Sequence, residues 1–104
     1  MRKGTTPTEV FELDTPELDM TTLTEVWTTI TDAVGKAKTW DITRATINDE
    51  YKTISITLTQ EETLAFTPGL ATVDIRMLTS DDKAIATDYS TIEIHDTQKG
   101  GVIE

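Results

Sequence analysis

The chain has 104 residues, a length that suits one domain, residues 1–104, with a single hydrophobic core. It contains no cysteine, which excludes disulfides, thiolate nucleophiles and cysteine-based metal sites. Nineteen acidic against nine basic side chains give a formal net charge of −10, and a surface of that sign repels phosphate backbones and anionic lipids. We therefore expect a protein that binds no nucleic acid and does not insert into a membrane.

Threonine is unusually abundant, with 23 residues in the chain. β-Branched side chains lose rotamer freedom in helices and pack well on a pleated surface, and the threonine hydroxyl also tolerates water. Because the apolar residues between the threonines are spaced regularly, the composition indicates exposed β-sheet faces and not a disordered tail.

The N-terminal segment, residues 1–7, is polar and contains a glycine and a proline, which predicts a loose arm. Its basic start is not followed by an apolar stretch, so a secretory signal is not expected. Residues 8–13 then predict a first strand, with Phe11 and Leu13 on one face and Val10 on the other.

The segment from Leu23 to Asp32 is compatible with two structures. As a strand, it places Leu23 and Trp27 on one face and Val26 and Ile30 on the other. As a helix, the same four residues follow the i, i+3, i+4, i+7 spacing of one apolar face. The many threonines between them disfavour a helix interior, so we predict a strand.

A hairpin is predicted next. Gly35-Lys36 provides the turn, and Lys38, Trp40 and Ile42 alternate along the returning strand. Residues 45–47 predict a further short strand before a polar turn.

Three later segments show the clearest alternation of apolar and polar residues. They are Tyr51 to Leu58, Ala71 to Thr79, and Tyr89 to His95. A turn at residues 80–83 and a short strand at 84–86 separate the second segment from the third. The residues predicted to lie in the core are Ile54, Ile56, Leu58, Val73, Ile75, Met77, Ile92 and Ile94.

One short helix is predicted near residues 60–66. Thr59 can cap it, and Glu62 follows three residues later, which is the spacing of a capping box. Pro68-Gly69 must end it. Leu64 and Phe66 are expected to pack this helix onto a sheet edge.

Together these elements predict an all-β fold, an antiparallel Ig-like β-sandwich of about seven strands with that single helix. Residues 98–104 are predicted to form a flexible C-terminal tail. It contains a Gly100-Gly101 hinge and an apolar tip, Val102 and Ile103, which suits docking into a partner's groove.

Three stretches carry a resemblance: Ile56 to Phe66, Val73 to Ala86, and Gly101 to Glu104. In combination they resemble a family of small proteins encoded in phages and prophages of Gram-positive bacteria. The resemblance covers roughly the C-terminal half, and Asp82-Lys83 stands where the family often shows Asp-Gly. It implies a virion-associated β-sandwich similar to tail and baseplate domains, made in the host cytoplasm and carried in the virion once assembled. It implies no catalytic or binding residue.

The sequence predicts no catalytic residue, cofactor or metal site. In a strand, Glu93 shares a face with His95, the single histidine, while Asp96 lies opposite, which indicates an exposed polar strand end. The serines lack the G-x-S-x-G motif of a hydrolase. The acidic residues Asp81-Asp82 and Asp88 lack the ligand spacing of an EF-hand.

The aromatic residues leave two alternatives open. Trp27 and Trp40 are predicted to face each other across the hairpin and to fill the core. Alternatively, one of them lies exposed on a concave face and stacks against a sugar. Val102, Ile103, Trp27 and Trp40 are therefore the candidate interaction residues.

The expected function is that of a non-enzymatic structural or accessory component of a phage particle, in its tail, baseplate or head. It would contact other phage structural proteins or further copies of itself. The alternative is a carbohydrate-binding or host-adhesion module.

Overall fold

A computed structural model of the chain describes residues 1–87 and 90–103. Within these ranges it contains eight strands in two antiparallel sheets and one short α-helix, α1 (Gln60–Leu64). The predicted all-β, sandwich-like fold is confirmed, with eight strands in place of about seven. The strands are β1 (Thr8–Glu12), β2 (Leu23–Thr31), β3 (Ala37–Trp40), β4 (Ala45–Asn48), β5 (Thr53–Thr57), β6 (Gly69–Thr79), β7 (Ala84–Ala86) and β8 (Ser90–Ile94).

The two sheets differ in size. The smaller has the order β1-β5-β4, and the larger has the order β3-β2-β6-β7, with β8 also paired to β6. Since β6 is eleven residues long, β7 and β8 lie end to end along one of its edges while β2 occupies the other. β6 is therefore the central strand of the larger sheet.

The hydrophobic core lies between the sheets and follows the predicted alternation. All the core residues predicted for the three clearest strands are buried except Ile92, which is half-buried and packs against the core. Both sheets contribute, through Ile54, Ile56 and Phe11 on one side and Val26, Ile30, Val73, Ile75 and Met77 on the other.

The segment after Leu23 is a strand, as predicted, but the predicted faces are wrong at its start. Leu23 is buried on the same side as Val26, while Trp27 points outward. The reason is a register shift in the pairing of β2 with β6, between Leu23 and Glu25. An irregularity of this kind inserts one extra residue and reverses the alternation locally.

The hairpin between β2 and β3 forms as predicted. Gly35 has a φ of 89°, which is a left-handed conformation that glycine adopts without strain. Asp32 N donates to Lys36 O at 2.8 Å. The alternation predicted through Ile42 ends at Trp40, because residues Ile42–Arg44 form a 3₁₀ turn.

Helix α1 begins with the predicted capping box. Thr59 Oγ1 accepts from Glu62 N at 3.2 Å, and Glu62 Oε1 accepts from Thr59 N at 2.9 Å. Phe66 is buried after the helix ends, and Leu64 is half-buried.

The prediction of a loose arm for residues 1–7 is wrong. Arg2 forms a parallel β-bridge with His95. His95 N donates to Met1 O at 2.8 Å, and Lys3 N donates to His95 O at 2.9 Å. The arm thus supplies partners to backbone groups just beyond β8, which would otherwise face water or remain unpaired.

Candidate functional site

Trp27 lies on the outward face of the larger sheet, on one of its interior strands. It is 44% exposed and pairs across the strands with Arg76 of β6. Trp40 pairs instead with Thr28 and is 3% exposed. The prediction that both indoles fill the core is therefore correct for Trp40 and wrong for Trp27, because the two residues belong to opposite faces of the sheet.

An open groove of about 350 Å³ runs beside Trp27. We call it the Trp27 groove. On the outward face of the sheet β7 contributes two alanines, with Ala86 opposite Arg76 and Ala84 opposite Leu78, and Met77 and Ile85 also line the groove. The residues that define it are Glu25, Trp27, Arg76, Leu78, Ala84 and Ala86.

The Trp27 groove combines an aromatic surface with both signs of charge. The Trp27 indole Nε1 donates to Glu25 Oε1 over a long distance of 3.4 Å. Arg76 is exposed and makes no salt bridge among the described residues. An indole face and a guanidinium are groups that contribute strongly to binding. The groove is therefore suited to binding.

Trp40 occupies a different environment, in which Glu62 is the central group. Trp40 Nε1 donates to Glu62 Oε2 at 2.7 Å, and Arg44 donates to Glu62 Oε1 at 2.7 Å. Lys38 lies 3.9 Å from the same carboxylate. The Trp40 ring also packs against Phe66, with 6.4 Å between ring centroids. These contacts join α1 to β3 and leave Trp40 unavailable to a partner.

The pKa of Glu62 reflects these contacts. Burial alone would raise the pKa of the carboxyl group. Hydrogen bonds from Arg44, from the Thr59 backbone and from the indole outweigh burial, and they lower the pKa of Glu62 to about 2. The sequence predicts the capping role of Glu62, whereas its bonds to Trp40 and Arg44 depend on contacts between distant segments.

His95 lies at an exposed strand end, as the sequence predicts. Its Nδ1 is 4.0 Å from Glu93 Oε1, and both side chains face solvent. Asp81 accepts a hydrogen bond from the Thr79 hydroxyl, so it is engaged within its own turn. Asp88 lies outside the described residues. Over ranges 1–87 and 90–103, no three or more acidic or histidine side chains are grouped as metal ligands.

The C-terminal segment lies against α1 as far as Ile103. Gln60 Nε2 donates to Ile103 O at 3.0 Å, and Ile103 N donates to Gln60 Oε1 at 2.8 Å. The side chains of Val102 and Ile103 are 40% and 61% exposed. The two candidate residues of the tail are thus at the surface beside the helix.

No protein-family model matches the chain, and a search of curated proteins finds no match either. None of the described helices is long and apolar enough to cross a membrane.

Proposed function

We propose that the chain is a non-enzymatic structural or accessory protein of a bacteriophage or prophage particle, and that the Trp27 groove is its contact surface for another particle protein. The motif resemblance in residues 54–104 supports the proposal that the protein belongs to a phage particle. The proposal that the Trp27 groove is the contact surface rests on the exposure of Trp27 beside Arg76.

The position of Trp27 suits a rigid contact. It lies on β2, which is hydrogen-bonded to a strand on each side, so little backbone entropy is lost when a partner binds. Tryptophan and arginine are the residues most enriched among those that dominate binding energy. Covering the exposed part of the indole contributes about 2–3 kcal/mol.

The net charge of the chain restricts the classes of partner that it can bind. With a net charge of −10, the surface disfavours nucleic acid and anionic lipid, which leaves protein or neutral ligands. We propose a protein surface that offers an apolar side chain to Trp27 and a carboxylate to Arg76. The protein would be made in the host cytoplasm and carried in the tail, baseplate or head of the particle.

Co-expression with the products of the flanking genes tests this proposal. We expect the chain to sediment with the assembled particle or subassembly. Trp27→Ala should reduce its incorporation at least about tenfold, because a central aromatic contact is lost. Tyr51→Ala is the matched control, since Tyr51 is a 70% exposed aromatic residue outside the groove. Normal incorporation of the Trp27→Ala protein would exclude the groove as the contact surface.

A second candidate function is carbohydrate binding, and it is favoured by the same exposed indole. A sugar ring can stack on Trp27 while Glu25 and Arg76 bond to its hydroxyl groups. Titration with soluble cell-wall oligosaccharides should then shift the fluorescence of Trp27 and should have no effect on a Trp27→Phe protein. Saturable sugar binding without incorporation into a particle would favour this function over the first.

A further inference from the structure

β4 is an edge strand of the smaller sheet, and the direction of the backbone groups of β5 determines which groups of β4 point outward. Leu58 N donates to Pro7 O, and Leu13 N donates to Lys52 O. In antiparallel pairing both backbone groups of a residue point to the same neighbouring strand, and successive residues alternate. The even-numbered residues of β5 therefore point to β1, and its odd-numbered residues point to β4.

The register of β4 on β5 then decides which groups of β4 face outward. Thr46 and Asn48 are opposite Ser55 and Thr53, so their backbone groups bond to β5. The backbone of Ile47 and the carbonyl of Ala45 point away from the sheet. Among the described residues, none forms a hydrogen bond to these outward groups.

β4 also lacks the features that protect other edges. Natural edge strands carry charges, prolines or bulges that prevent pairing with another chain. β1 carries two glutamates and follows a proline, and β3 carries Lys38 and follows Lys36. The four residues of β4, in contrast, are all uncharged, and the nearest charges, Arg44 and Asp49, lie outside the strand at its two ends. It is therefore the edge of the smaller sheet that is open to another strand.

We propose that β4 pairs antiparallel with β4 of a second copy of this chain, with Ile47 opposite Ile47, which joins the two smaller sheets into one of six strands. This register is the one in which the outward N–H and C=O groups of both Ile47 residues bond to each other. It also keeps each inward-facing side chain opposite another inward-facing one.

The same register brings opposite charges together. At each end of the paired strands, the 3₁₀ turn that carries Arg44 lies near the turn of the second copy that carries Asp49 and Glu50. Arg44 is 39% exposed at its side chain, although its guanidinium also bonds to Glu62, and Glu50 is exposed. On β1 the corresponding register, with Val10 opposite Val10, would place Glu9 of one copy diagonal to Glu9 of the other and would pair no opposite charges within the strand. Charge complementarity thus favours β4 and a second copy as its occupant.

The contact is short, since four residues form the strand. Such an interface is smaller than those of permanent dimers, so we expect a dissociation constant on the order of 100 μM. Sedimentation velocity over about 10 μM to 1 mM measures it directly. A protein that stays monomeric over this range would overturn the proposal.

Two variants with matched controls test the strand and the register. Ile47→Pro removes an outward N–H of β4 and leaves every hydrogen bond between β4 and β5 in place. Val10→Pro is the control, because it removes an outward N–H of β1 and leaves the hydrogen bonds between β1 and β5 in place. Ile47→Pro should weaken self-association at least about tenfold, and Val10→Pro should leave it unchanged. An equal effect of the two would locate the contact elsewhere.

Glu50→Arg gives a test that does not alter the backbone. It places arginine near the 3₁₀ turn of the other copy that carries Arg44 and should weaken self-association at least about tenfold. Glu12→Arg on β1 changes the net charge by the same amount and should not weaken it. Unimpaired association of the Glu50→Arg protein would contradict the register. Trp27→Ala should retain self-association, so this inference and the proposed function can fail separately.

Discussion

The two tryptophans lie on strands β2 and β3 of one hairpin, yet they have opposite environments. Trp40 is enclosed by Phe66 and bonded to Glu62, so all of its polar and apolar groups have partners within the protein. Trp27 has one long hydrogen bond and an indole that is nearly half exposed. Residue type alone therefore does not distinguish a structural aromatic from a binding one. The face of the strand on which the side chain lies determines whether it packs in the core or is available to a partner.

The largest expected effect is on stability. Trp40→Ala should lower the free energy of unfolding by about 3–5 kcal/mol, because it removes a buried ring and leaves Glu62 without one of its donors. Trp27→Ala should lower it by less, about 1–2 kcal/mol, since 44% of the side chain is already in water. Urea unfolding of both variants measures the difference. Similar losses of unfolding free energy in the two variants would contradict the assignment of Trp40 to the core and of Trp27 to the surface.

The next effect is the dependence of stability on pH. The folded pKa of Glu62, about 2, lies below its ordinary value of 4.5, so its contribution is fully present above pH 4.5 and is lost as pH falls toward 2. We expect that contribution to be about 2–3 kcal/mol. Unfolding midpoints of the wild type and Glu62→Gln should differ at pH 7 and converge as the pH approaches 2. A constant difference across this range would show that ionised Glu62 does not stabilise the fold.

A smaller effect of opposite sign is expected at Thr28, the cross-strand partner of Trp40. Thr28 is fully buried, and its hydroxyl has no hydrogen-bond partner among the described residues. Thr28→Val keeps the shape and removes the unpaired group, so it should raise stability by about 1 kcal/mol. Thr29→Val is the outward-facing control, and it should not stabilise because the Thr29 hydroxyl bonds to Thr39 at 2.9 Å. Destabilisation by Thr28→Val would reveal a partner for that hydroxyl.

The smallest effect is on fluorescence, which reports the surroundings of each indole. In a Trp27→Phe protein the remaining indole, Trp40, should emit at shorter wavelength and resist quenching by acrylamide. In a Trp40→Phe protein that still folds, Trp27 should emit at longer wavelength and be quenched readily, because it faces solvent. Equal quenching of the two indoles would contradict their assignment to opposite faces.

Sequence reasoning succeeds where local chemistry decides the structure. Alternation predicts β5 and β6, and the capping box at Thr59 predicts α1. It fails at the start of β2, because the irregularity between Leu23 and Glu25 brings Leu23 to the face of Val26, and the local sequence does not mark it. Partners from distant segments are equally invisible in the sequence, as with the N-terminal arm bonded to His95. The exposure of Trp27 likewise depends on which face of the larger sheet packs against the smaller one, and local sequence does not determine this.

One side chain, Glu62, has a consequence for the dynamics of the fold. Its carboxylate both caps α1 and accepts the bonds from Trp40 and Arg44, so one side chain joins the helix to the β2–β3 hairpin and to the turn that follows it. Opening of either element would break bonds that it shares with the other at Glu62. Their amide protons are therefore expected to exchange with deuterium as one cooperative unit.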